Sequence, residues 1–221
     1  MEFAKQVKKD YSNFFVDYRK LNPKMDEGYI KFNAEWKKKE ALPYSTIRNL
    51  NEWRQRLYQV NLVGAYPDGI GFGNVSHRLD RNTFTISGSK TGNFKNLDNS
   101  HFSTVVNFDV EKNWVECEGP IIASSESMSH AIIYQTRPEV NAVFHVHHLE
   151  LWKKWLFKIP TTAETAAYGT PEMAKEIVQL FENTNVIEQK IFAMAGHREG
   201  LFSFGKTLDE AGNILLEILK K

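Results

Sequence analysis

The sequence predicts one α/β domain, and three observations carry that prediction. Apolar residues recur at helical spacing in stretches with recognisable caps. Short alternating runs bounded by glycine lie between them. No repeat, low-complexity tract or Pro/Gly/Ser linker divides the chain. With 221 residues, 42% of them hydrophobic and 25% charged, the chain has the composition of a soluble globular protein able to bury a sizeable core.

Residues 1–43 are lysine-rich and studded with aromatics; Phe3, Val7, Tyr11, Phe14, Phe15 and Tyr18 near helical spacing predict a helical N-terminal extension broken at Pro23. Leu50, Trp53, Leu57 and Val60 share the face of a second helix, for which Gly64 is a suitable stop. Then the texture changes. The glycine-rich AYPDGIGFGNVSHR, the alternating TFTISGS and the segments TVVNFDV and WVECEG mark residues 70–120 as a sheet region. SSESMSHAIIYQTRP reads as a helix opened by Ser124 or Ser125 and stopped before Pro138, with Met128, Ile132 and Tyr134 inward. VNAVFHVHH follows as a strand. Thr170 as N-cap with Pro171 at the first helical position starts another helix, IFAMAGHREGLFSFG forms two strands around a turn, and Thr207 with Glu210 forms a capping box for the last helix.

Composition narrows the function. Lys plus Arg number 28 against 27 Asp plus Glu, so the basic excess of a nucleic-acid binder is missing and no nucleic-acid partner is expected. The one cysteine, Cys117, excludes an intrachain disulfide, a Cys-rich zinc site and a CxxC pair, which fits a reducing cytoplasm. The N-terminus interrupts its apolar residues with Lys5, Lys8, Lys9 and Asp10, and no run approaches the roughly 18 apolar residues of a membrane span; cytoplasmic location without a membrane partner is expected.

The chemistry concentrates on histidine. In a strand, His145 and His147 point to one face with Val143, away from Ala142, Phe144 and Val146, so the two imidazoles can chelate one ion. An H-x-H pair alone serves a metal or a structural role, and both stay open. His148 is assigned a structural role, His130 a packing role within its helix, and His77 is a weaker candidate. His197, in a turn, suits a third ligand delivered from afar. Ser124 and Ser125 at a helix N-terminus, with the glycine-rich GFGNVS and ISGS, offer donors to an anion. Glu126 is either a dipole-stabilising residue of the first turn or, beside a divalent metal, a general base.

Taken in order, GNVSHR at 73–78, ISG at 86–88, SSE at 124–126, RPEVNAVFHVHH at 137–148, YGTPEMA at 168–174 and AGHREGLFSFGKTLDEA at 195–211 resemble the class II aldolase/adducin family. The resemblance covers about residues 50–218, and six ordered motifs make it specific. It implies an α/β/α sandwich around a largely antiparallel central sheet, a 44–221 domain behind the 1–43 extension, and a homotetramer with sites between subunits. It also implies Zn2+, or another divalent metal, on His145, His147 and His197, with Glu126 as catalytic acid/base. Asn74, Ser87, Gly88, Ser124 and Ser125 would then form the phosphate or carboxylate cradle. The implied function is an aldolase-type lyase that acts through a zinc-stabilised enediolate on a small phosphorylated or acidic hydroxy-carbonyl compound. A dehydratase or epimerase of the same family is the alternative, and a non-catalytic adducin-like module is opposed by the retained histidines and Glu126. A cupin, prompted by His145, His147 and Glu150, is opposed by the several capped helices. Two departures stand out: LELWKKWLFKIPTTAE fills the place of the longer segment that carries a proton-donating tyrosine in the sugar-phosphate aldolases, and no aromatic tail precedes Lys221.

Overall fold

A computed structural model of the protein describes residues 28–81 and 83–220. Among these described residues eleven strands and six α-helices follow in the order β1 (Asn33–Lys38), α1 (Tyr44–Gln59), β2 (Gly64–Ala65), β3 (Gly71–Phe72), β4 (Asn74–Arg78), β5 (Phe84–Ser87), β6 (Phe102–Asp109), β7 (Trp114–Gly119), α2 (Ser127–Thr136), β8 (Ala142–His147), α3 (Leu149–Trp155), β9 (Thr161–Thr162), α4 (Pro171–Asn183), α5 (Val186–Gln189), β10 (Ile191–Met194), β11 (Gly200–Gly205) and α6 (Leu208–Lys220). Nine strands form one sheet in the order β1-β7-β6-β5-β4-β8-β11-β10-β9. It is antiparallel throughout except at its edges, where β1 runs parallel to β7 and β9 to β10. The small β2–β3 hairpin stands apart.

Strand alternation divides the core into two layers, one on each face of the sheet. On one face Ile86, Val105, Val143 and Phe202 pack with Met128 and Ile133 of α2 and Met173 and Ile177 of α4. On the other, Val75, Phe144, Val146 and Leu201 pack with Ile47, Leu50, Trp53 and Leu57 of α1 and with Ala211 and Leu215 of α6. The result is the α/β/α sandwich. Burial of each such side chain is worth about 1.5–3 kcal/mol, which explains why α1, with no side-chain cap, holds its place by its apolar stripe.

Several local expectations shift. α1 begins at Tyr44 behind Pro43, well before Leu50, and ends at Val60; Asn61, at φ +58°, turns the chain, so Gly64 enters β2 instead of stopping the helix. α2 begins at Ser127 because the Ser124 carbonyl accepts from the Ser127 amide at 3.0 Å and from its hydroxyl at 2.7 Å, winding 124–127 into a turn first. Thr170 and Pro171 open α4 as expected, Thr170 accepting from the Met173 amide. At α6 the capping box is half made: Thr207 Oγ1 accepts from the Glu210 amide at 3.1 Å, while the Glu210 carboxylate turns to the Lys206 amide and the Lys190 ammonium. The predicted helix of the 1–43 extension falls, for residues 1–27, outside the described residues; its described remainder carries the strand β1. Among the described residues no helix is long and apolar enough to cross a membrane.

Candidate metal and anion site

The centre of the sheet positions the histidines. β8 lies between β4 and β11, and the period of two sends His145 and His147 to the same side as Val143, against α2. The turn between β10 and β11 brings His197 to them, so that one ligand atom from each of the three buried rings lies within 4.8 Å of the others. Around them, Phe202 stacks on His145 with centroids 4.5 Å apart, and Tyr168 stacks on His197 at 4.4 Å.

Hydrogen bonding sets the tautomers. His145 Nδ1 lies 3.2 Å from the Leu201 carbonyl, which can only accept, so this nitrogen carries the proton and Nε2 keeps its lone pair. Tyr66 donates to the Glu199 carboxylate at 3.0 Å and therefore accepts from His147 Nδ1, also at 3.0 Å, which leaves His147 Nε2 with a lone pair as well. These two Nε2 atoms face each other at 2.9 Å. Opposed lone pairs inside a protein repel unless a cation joins them. A shared proton is disfavoured, because burial pushes His145 down to about 3. The donor set thus fits a divalent cation, with Leu201, Tyr66 and Glu199 orienting the rings from behind.

Glu126 is the N-cap residue of α2, 1% exposed, with Oε1 3.2 Å from His197 Nδ1 and Oε2 accepting from the Ser129 hydroxyl at 2.8 Å. Burial opposes its charge, yet the close approach of His197, the nearby His145 ring and the Ser129 hydroxyl hold the carboxyl down at about 2.

A small pocket adjoins this cluster, lined by Asn74, Gly88, Ser124 and Ser125 together with Ser89, Lys90, Thr91, Gly92, Gly28, Gly71 and Gly73. It is linked to the histidines by strand register, since Asn74 pairs with His145 and the two side chains share a face. Gly73 makes this approach possible: at φ +74°, a Cβ here would lie 3.1 Å from the His145 carbonyl oxygen and 2.9 Å from Val63. Ser87 stands outside the pocket lining, and its hydroxyl accepts from the Val75 amide at 3.2 Å. His148 caps α3 by accepting from the Leu151 amide, and His130 packs beneath the site, its Nδ1 2.6 Å from Ser76 Oγ. His77, half-buried in β4, is absent from the cluster. Sequence reasoning missed Tyr66, Glu199 and the Lys90–Gly92 continuation of the ISGS donors, whose glycine and polar residues are those of an anion-binding loop.

Residues 65–152 match the family model for the class II aldolase and adducin N-terminal domain. An L-fuculose 1-phosphate aldolase structure superposes with a TM-score of 0.62 at 22% identity, covering 81% of this chain and 84% of its own. A sugar-phosphate aldolase from Thermotoga maritima gives 0.59 at 19% identity, covering 80% and 91%. An L-fuculose 1-phosphate aldolase from Glaciozyma antarctica PI12 gives 0.51 at 16%, covering 82% and 76%. Over residues 65–152 the chain is thus similar to the class II aldolase and adducin N-terminal domain, and the sheet that carries this segment has the fold of those aldolase structures.

Proposed function

We propose that the protein is a divalent-metal-dependent lyase of the aldolase type, with zinc the metal expected, acting on a small hydroxy-carbonyl compound that bears a phosphate or carboxylate. The observation that carries this reading is the pair of opposed Nε2 lone pairs of His145 and His147, with His197 beside them and a buried carboxylate within reach. His145, His147 and His197 would hold the ion, which supplies a Lewis acid that polarises a carbonyl and accommodates charge on its oxygen.

The chain's own residues supply the rest. Glu126 is ionised and takes a proton from the carbon next to the carbonyl, Ser129 fixing its second oxygen. Asn74, Gly88, Ser124 and Ser125 bind the anionic end and orient the substrate along the sheet face. The stacked rings of Phe202 and Tyr168 exclude water from one side of the cluster. Every residue assigned here falls within 44–221, which we take as the functional unit, and the ordered family motifs support a cytoplasmic homotetramer.

One observation favours a dehydratase or epimerase as the second reading. The Tyr168 hydroxyl is bound to the Tyr29 backbone, donating to its carbonyl at 3.2 Å and accepting from its amide at 3.3 Å, so this tyrosine is not free to protonate a leaving aldehyde. The test is elemental analysis of the purified protein, followed by solvent deuterium exchange into phosphorylated and acidic ketones. Glu126→Gln should keep its metal and lose exchange by about 10²–10⁴-fold. Exchange that persists in this variant rejects Glu126 as the base, and wild-type exchange without C–C cleavage selects the second reading.

A further inference from the structure

Arg54 is one of the largest fully buried side chains of the molecule, 1% exposed, in the middle of α1. A buried guanidinium ordinarily sits against a carboxylate, because an unpaired charge away from water is costly. Here, among the described residues, it has no carboxylate partner. Its donors go to backbone carbonyls: Nη1 to Lys95 at 3.1 Å, and Nη2 to Thr91 at 3.1 Å and Gly92 at 3.2 Å, while its plane lies over the Tyr58 ring. The carbonyls take three hydrogen bonds from it and leave its charge uncompensated.

Two of those carbonyls belong to residues that line the anion pocket, Thr91 and Gly92. In a trans peptide the C=O and the following N–H point opposite ways, so drawing the Thr91 carbonyl toward Arg54 turns the Gly92 amide away from it. The Lys90, Thr91 and Gly92 amides donate to no acceptor among the described residues. The loop is also held close, since a side chain at Gly92 would overlap the Gly64 carbonyl oxygen.

We propose that Arg54 is a positioning residue for a dianionic phosphate group: it aims the Lys90–Gly92 amides into the pocket and leaves its own charge to be balanced by the bound anion. The inference rests on the anion-cradle reading above and adds to it the residue that selects between the two anions already named there, a phosphate and a carboxylate. A monoanion would use the same donors but gain less from a positive charge one peptide unit behind them.

The test compares inorganic phosphate with formate by calorimetric titration at pH 8, where phosphate is mainly the dianion, on wild type, Arg54→Lys and Arg54→Gln. Wild type should bind phosphate at least about tenfold more tightly than formate, as expected for one added ligand charge near an uncompensated cation. Arg54→Lys keeps the charge and should keep this preference even where both affinities fall; Arg54→Gln keeps donors without the charge and should lose it. Equal weakening of both anions by Arg54→Gln, or none, overturns the inference with the cradle intact. Should Arg54→Gln fail to fold, wild type and Arg54→Lys decide: an equal affinity for the two anions in either protein overturns it. Wild type that binds neither anion removes the cradle reading itself, and the inference with it.

Discussion

Tyr66→Phe isolates the part of the metal site that lies behind its ligands. The substitution keeps the ring, which packs 4.6 Å from Phe72, and deletes only the hydroxyl that accepts from His147 Nδ1 and donates to Glu199, each at 3.0 Å. That relay is what fixes the proton on Nδ1 and frees Nε2. Without it His147 samples both tautomers, and Glu199 loses an orienting partner. Outer partners of ligating histidines typically contribute 10–100-fold in metal affinity, so we expect a loss of about 1.4–2.7 kcal/mol in zinc binding. The metal-free fold should lose only about 0.5–1.5 kcal/mol, the net worth of an ordinary hydrogen bond. Competition with a chromophoric chelator measures the first quantity and urea unfolding the second. Zinc affinity within twofold of wild type would refute the tautomer argument. Glu199→Gln sharpens the test, because an amide can donate to Tyr66 and let the tyrosine donate to His147, reversing the tautomer while the bonds survive; its zinc affinity should fall as well.

His148→Ala should leave metal content unchanged and cost about 1 kcal/mol through loss of the α3 cap, measured by urea midpoint beside elemental analysis; loss of metal would move His148 into the site. Gly212→Ala should destabilise by about 1–3 kcal/mol, seen as a lower melting temperature, because the added methyl overlaps the Trp53 ring where α6 crosses α1. Glu210 is held below its usual value of 4.5, first by the Lys190 hydrogen bond and in spite of some desolvation. A depressed folded value means its contribution is present above 4.5 and disappears as pH falls through the lower folded value, so Glu210→Gln should flatten the acid limb of stability in that window.

What the sequence made legible follows from how far each inference had to reach. Strand parity is local, so the common face of His145 and His147 could be read from VNAVFHVHH and agrees with the placement of Val143 and Phe144 in opposite core layers. Register between distant strands is not local. That Asn74 lies opposite His145, or that Tyr66 meets Glu199 across the β10–β11 turn, depends on which strands pair and where a turn ends. Glu199 itself is held at φ +69°, a conformation that glycine or asparagine would announce and glutamate does not. The edge strand β1 escaped because all six of its residues are exposed and carry no apolar alternation.

Arg54 lies between these cases. In the run RNLNEWRQRL, position 54 falls four residues after Leu50 and three before Leu57, on the stripe that the helix buries, whereas Arg56 falls off it. A charge on an apolar stripe is the kind of local inconsistency that a stable fold tolerates only where something balances it. Three loop carbonyls balance its hydrogen bonds and nothing among the described residues balances its charge. The sequence therefore held the anomaly, and only the tertiary path of the loop from Thr91 to Lys95 shows that its resolution is directed at the pocket where an anion would sit.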